Sequence, residues 1–262
     1  MTPELLRERL AQAGDERMKV AEDLFGVADF LRTNSSVQRA LTDPSREQSD
    51  RDALVDRLFA PVVSAVSIQC LHDLVAGHWS RPRDIVHAVE EAGCDAVLLS
   101  AQFDGVLEET EAQLVAVSVF LQSHRDLRNE LSALSALSPK GRADLAQTVF
   151  QSVLGQPSLR LLRRCVGRTS HGHLLGKLRE LAVRAANLSG RRFVFVESAH
   201  ELSDDQKMRL EKILETKLAS PVSATYTLRP ELLGGLVIRM GTERVDASLA
   251  TRVGALKRSI VG

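Results

Sequence analysis

The chain has 262 residues, and its 34 Lys and Arg balance 34 Asp and Glu, so the formal charge is zero. That balance argues against a dedicated polyanion binder, because counterion release from phosphates needs a surplus of cations. Hydrophobic residues at 44% and charged residues at 26% exclude a disordered or fibrous chain, and aromatics at only 4% suit helices packed through Leu, Val and Ala better than an aromatic-lined pocket or a base-stacking surface.

From residue 1 to about 188 the hydrophobic period is helical. Leu107, Leu114, Val117 and Leu121 fall on one face, as do Leu174, Leu178, Leu181 and Ala185. Breakers recur at Pro44, Gly77 to Pro82, Gly93, Gly105, Ser138 with Pro139, Gly155 to Pro157, and Gly172. The expectation is about a dozen short helices, in a bundle and not a coiled coil, because no apolar heptad runs through these interruptions.

A weak internal repeat runs through this region at an offset near 90 residues. Phe30 and Leu31 match Phe120 and Leu121, Val37 matches Leu127, and Leu41 matches Leu131. After one residue of drift, Leu54 matches Leu145, Phe59 matches Phe150, Leu71 matches Leu162 and Val75 matches Val166. The organisation expected is a helical lobe over 1–92, a second and duplicate lobe over 93–189, and a small α/β domain over 190–262.

Past residue 190 the period changes. FVFVES at 193–198, SATYTL at 223–228 and LVIRM at 236–240, which continues through a turn at Gly241 and Thr242 into ERVDAS, read as strands. A helix between them starts at Ser203, where Gln206 completes a capping box before Leu210, Ile213, Leu214 and Leu218. A second helix begins near Ser248 and places Leu249, Val253, Leu256 and Ile260 on one face. The fold class is therefore mainly α, closed by a small β-α-β-β-α domain.

Chemical motifs are scarce. Cys70, Cys94 and Cys165 are widely separated and fit neither a disulfide framework nor a metal site, which points to a reducing compartment. Gly172 to Leu178 has three residues between its glycines and no Ser or Thr after Lys177, so it fails as a phosphate loop. Gly234 and Gly235 precede a strand and read as a turn or bulge. His171 with His173, and His87 with Glu90, lack a third ligand at recognisable spacing. No catalytic constellation, cofactor site or metal site is expected.

No stretch is apolar for the roughly 20 residues a bilayer span needs, since the longest one free of charged residues, Leu58 to His72, contains Pro61, Ser64, Ser67 and Gln69. The N-terminus has no apolar signal region. The chain is expected in the cytoplasm without direct membrane insertion. Nine basic residues against one acid between Arg160 and Arg192, and seven acids without a base between Glu90 and Glu111, are read as solvated faces or as docking charges for partner helices. Nucleic acid ranks last, because no aromatic residues are interleaved to stack bases.

The run RRFVFVESAHELSDDQ followed by LRPELLGGLVIRMGTERVDASLATRVGALKRSI resembles the delta subunit of the F-type ATP synthase, the oligomycin-sensitivity-conferring protein family. The signature falls on Leu232, Leu233, Gly234, Gly235, Leu236, Ile238, Gly241, Val245, Asp246 and Ser248, with Ser198, Ala199, Leu202, Ser203 and Gln206 upstream. Two positions depart from it: Arg229 stands where the family has Asp before the proline, and Ala247 where it has Gly. The resemblance covers roughly 95–262, and the preceding stretch looks like the lengthened actinobacterial form.

This resemblance implies a non-catalytic stator connector on the cytoplasmic face of the cell membrane. It implies a helical bundle that receives the N-terminal helix of an α subunit, and a C-terminal domain that holds the end of the b-type stalk subunit. Leu98, Phe103, Leu159, Leu162 and Val166 are the candidates to line the helix groove, and they fit a bundle interior equally well. The alternative is a generic cytoplasmic helical adaptor unrelated to energy conversion; an enzyme would need a polar pocket that the sequence does not offer.

Overall fold

The computed structural model describes residues 2–132, 135–168, 173–230, 232, 235–240 and 243–248. Two compact units divide the chain, Met1–Leu107 and Glu108–Gly262.

The first unit is helical throughout: α1 (Pro3–Gln12), α2 (Arg17–Thr33), α3 (Ser35–Thr42), α4 (Gln48–Phe59), α5 (Ala65–Val75) and α6 (Asp84–Phe103), with one 3-10 turn at Gly14–Glu16. Thr2 caps α1 by accepting from Leu5 N at 3.3 Å, and Pro3 occupies the first turn, where a missing N–H removes nothing. Helix α2 buries Val20, Ala21, Leu24, Phe25, Ala28 and Leu31 at three- and four-residue spacing, one stripe packed along α6. Gly93 was expected to interrupt the helix, and instead α6 runs through it. An added Cβ at that position would lie 2.6 Å from the Phe25 ring, so the glycine is there for close helix approach and not to break the chain. The expected division after residue 92 thus falls inside one helix.

The second unit begins with helices α7 (Leu107–Ser123), α8 (Arg125–Glu130), α9 (Pro139–Phe150), α10 (Gln156–Arg168) and α11 (Leu174–Leu188). It continues into β1 (Arg192–Ser198), α12 (Asp204–Leu218), β2 (Val222–Leu228), β3 (Gly235–Met240) and β4 (Glu243–Ser248). The segment Leu174–Leu178, part of the stretch that fails as a phosphate loop, opens α11.

The four strands form one sheet in the order β2-β1-β3-β4. β1 and β2 run parallel with α12 as their crossover, and the other pairs are antiparallel. Ser203 and Gln206 make the expected capping box, at 2.9 and 3.3 Å. Val194 and Val196 of β1 pack on Leu214 of α12, with Leu210, Ile238 and Leu236 around them. The run from LVIRM into ERVDAS is a two-stranded hairpin. The expected terminal helix, with Leu249, Val253, Leu256 and Ile260, lies outside the described residues.

Side chains tie the helices of this unit to its sheet. Arg191, just before β1, donates to buried Glu111 of α7 at 2.7 Å and lies 3.5 Å from Glu108. Ser223 of β2 donates to the other Glu111 oxygen. Arg179 of α11 donates to Ser118 and Gln122 of α7, at 3.1 and 2.6 Å, and faces the Phe195 ring of β1. The acidic and basic runs seen in the sequence therefore meet each other in part within the chain.

Candidate partner-binding surfaces

In each unit a pair of phenylalanines joins two helices that one short helix separates in sequence, α2 to α4 in the first and α7 to α9 in the second. Phe30 of α2 meets Phe59 of α4 edge to face, with centroids 5.6 Å apart and planes at 89°. Phe120 of α7 meets Phe150 of α9 at 6.0 Å and 89°. In both pairs the second ring is buried while the first stays exposed, 40% for Phe30 and 41% for Phe120. Val62 and Val153, three residues after the buried rings, are exposed at 73% and 66%. An aromatic ring left half in water beside an open valine is what a partner surface offers before it is covered.

Two further contacts match between the units. Arg51 of α4 donates to Val75 O at 2.9 Å, and Arg142 of α9 donates to Val166 O at 2.9 Å, each satisfying a carbonyl in the last turns of the following helix. Asp23 accepts from Ser64 N at 2.8 Å, and Gln113 accepts from Gly155 N at 2.9 Å, each at the start of that helix. Every pair falls at the 90- or 91-residue offset of the sequence repeat.

The groove candidates are placed differently from one another. Leu98, Leu162 and Val166 are completely buried, so they form helix packing and cannot line an open surface in the free chain. Phe103 is exposed under the Arg17 guanidinium, 4.4 Å from the ring centre, and Leu159 is half-buried. Helical periodicity had located the apolar stripe but not which of its members meet solvent. Sequence reasoning also missed Phe30, Phe120, Val62 and Val153 as surface residues. The signal was present in the matched phenylalanines of the repeat.

The signature residues frame the β3–β4 hairpin. Leu232 sits half-buried in the bend before it, its N–H 3.0 Å from Arg229 O. Gly235 opens β3 with φ of 83°, a conformation that L side chains rarely adopt, and it pairs with Ser248 at the far end of β4. Ile238 pairs with Val245 and Val196, and Asp246 with Val237. Ala247 is an ordinary ladder residue opposite Leu236, so glycine is not needed there. Leu233, Gly234 and Gly241 lie outside the described residues. Arg229, the other departure, donates to Glu197 of β1 at 3.0 Å, and Arg239 of β3 donates to the same oxygen at 3.1 Å.

Burial pushes the Glu111 carboxyl above the ordinary glutamate range, against the opposing pull of the Ser223 hydroxyl and the Arg191 charge. Burial also pushes the Cys70 thiol up to about 12, which leaves it unreactive at neutral pH. Glu90 accepts from Arg32 at 3.3 Å. Among the described residues no group of three His, Cys, Asp or Glu is placed to hold a metal, and no helix is long and apolar enough to cross a membrane.

The family model for the ATP synthase delta (OSCP) subunit matches residues 94–260. The ATP synthase subunit delta of Frankia alni is 32% identical over 247 residues, covering 93% of this chain and 87% of that one. Those of Corynebacterium aurimucosum and Streptomyces coelicolor are 32% and 30% identical, each covering 94% of this chain and 91% of the relative. A generic adaptor unrelated to energy conversion is not favoured by these matches.

Proposed function

This chain belongs to the ATP synthase delta (OSCP) family, peripheral-stalk subunits of the F-type ATP synthase, and from that premise we propose that it is a non-catalytic clamp at the cytoplasmic face of the cell membrane. One of its helical lobes receives the N-terminal helix of an α subunit, and its C-terminal α/β domain holds the end of the b-type stalk subunit. Its task is to keep the catalytic hexamer from turning with the rotor.

The observation that carries the reading is the β3–β4 hairpin, in which the family signature spans the ladder from Gly235 to Ser248. A clamp needs grip and stiffness, not a pocket. Nanomolar grip is about −12 kcal/mol, within reach of a standard interface of roughly 1,600 Å². Stiffness is served by the ties from Glu111 and Arg179 to the sheet side of the unit.

The lobes over 1–92 and 93–189 are copies of one ancestral bundle in this reading. The matched phenylalanine pairs, arginine caps and valines support it, because generic helical periodicity does not reproduce an arginine-to-carbonyl bond at the same offset. Deleting residues 246–262 should abolish co-purification with the b-type subunit while far-UV circular dichroism keeps the helical signal. Retained stoichiometric binding would count against the assignment of the C-terminal domain.

A further inference from the structure

Strand β2 (Val222–Leu228) forms one edge of the sheet, and its hydrogen-bond phase is fixed at both ends. Arg192 N–H donates to Pro221 O at 2.8 Å, and Arg229 N–H donates to Ser198 O at 2.7 Å. Backbone groups two residues apart face the same way along a strand. Ser223, Thr225 and Thr227 therefore turn theirs toward β1, while Val222, Ala224, Tyr226 and Leu228 turn theirs outward. Glu215 of α12 accepts from Val222 N at 3.4 Å and closes that end of the edge. Among the described residues, the N–H and C=O groups of Ala224, Tyr226 and Leu228 meet no hydrogen-bond partner.

Native sheets blunt their edges with charged side chains, proline, bulges or a covering element. β2 uses none of these from Ala224 onward. Its sequence, VSATYTL, has no charge, proline or glycine, its register with β1 is unbroken, and none of its residues is buried. The other edge strand, β4, carries Glu243, Arg244 and Asp246 within six residues.

We propose that the β2 edge receives an extended segment of another synthase subunit, which adds a further strand alongside Ala224 to Leu228. The inference rests on the reading of the α/β domain as the part that grips the stalk. The backbone chemistry selects an extended segment. N–H and C=O groups presented at alternate residues are matched along their length by another strand, whereas a helix spends its own backbone groups internally.

The two faces of β2 state what side chains that segment carries. On the α12 side, Val222 and Tyr226 pack against the core of Val194, Val196 and Leu214, and Leu228 is 55% exposed. Ser223, Thr225 and Thr227 alternate with them and stand on the opposite face, where Ser223 reaches Glu111 of α7. A strand laid alongside continues both faces, so the fitting segment alternates apolar residues on the α12 side with polar ones on the other. It also lacks proline where its own N–H groups meet Ala224, Tyr226 and Leu228.

The test is hydrogen exchange of the full chain, free and then assembled into the synthase, read residue by residue. The Ser223, Thr225 and Thr227 amides should exchange slowly in both states. Those of Ala224, Tyr226 and Leu228 should exchange fast in the free chain and about tenfold or more slowly once assembled. Ala224→Pro removes an outward N–H that β1 does not use, at the kind of position where edge strands tolerate proline. It should leave the melting temperature unchanged and weaken binding to synthase stripped of this chain by about tenfold. Should Ala224→Pro fold poorly, the exchange pattern of the unaltered chain decides alone. Assembly with the three outward amides still fast, or equal binding by a folded Ala224→Pro, would overturn the strand addition and leave the clamp reading standing. A chain that does not bind stripped synthase at all would overturn both. Self-association in sedimentation that Ala224→Pro abolishes would make a second copy the occupant and overturn the proposal.

Discussion

Two glycines in the first unit have opposite physical meanings, and one substitution separates them. At Gly93 an added methyl meets the Phe25 ring at 2.6 and 2.7 Å. Gly93→Ala should lower stability by about 1–3 kcal/mol as the ring or α2 is displaced. At Gly26 the same change meets open space, and Gly26→Ala should raise stability by about 0.5–1 kcal/mol through helix propensity. Urea denaturation followed by circular dichroism checks both, and equal effects at the two sites would contradict the packing described. The sequence shows glycine at both positions and cannot separate them, because the Phe25 ring reaches Gly93 from 68 residues away. The cysteines follow the same logic of burial. Cys70, Cys94 and Cys165 are all buried, so the native chain should resist a thiol reagent that reacts with it once denatured.

Individual elements were legible where their signals are local. The strands near 193, 223 and 236 and the Ser203 capping box depend on neighbours within a few residues, and each stands within a residue or so of its expected place. The ties between elements were not legible. Glu111 meets Arg191 and Ser223 across 80 and 112 residues, and nothing in a local pattern announces such a contact. It has a measurable consequence. Because burial raises the Glu111 pKa above the ordinary 4.5, the folded chain binds more protons than the unfolded chain in the window from pH 4.5 up to the raised value. Its contribution to stability is fully present below that window and is lost as pH rises through it. Glu111→Gln should flatten this part of the stability profile measured by denaturant titration, and an unchanged slope would remove Glu111 as its source.

At the scale of the whole molecule, length and composition pointed to helices and the C-terminal run to the family, whereas the surfaces available to partners came only with the structure. Leu98, Leu162 and Val166 carry the right residue types for a groove and are interior, while the exposed phenylalanines and valines of the repeat carry the open faces. Periodicity identifies an apolar stripe; only packing decides which part of it is left for another protein. The proposed role is mechanical, resistance to torque without chemistry of the chain's own. The most direct measurement is ATP-driven proton pumping by the synthase in membrane vesicles, before and after this chain is removed and then added back. Removal should leave ATP hydrolysis by the catalytic hexamer running while pumping is lost, and one equivalent of the purified chain should restore it. Pumping that persists without the chain, or that returns without the chain binding, would contradict the account.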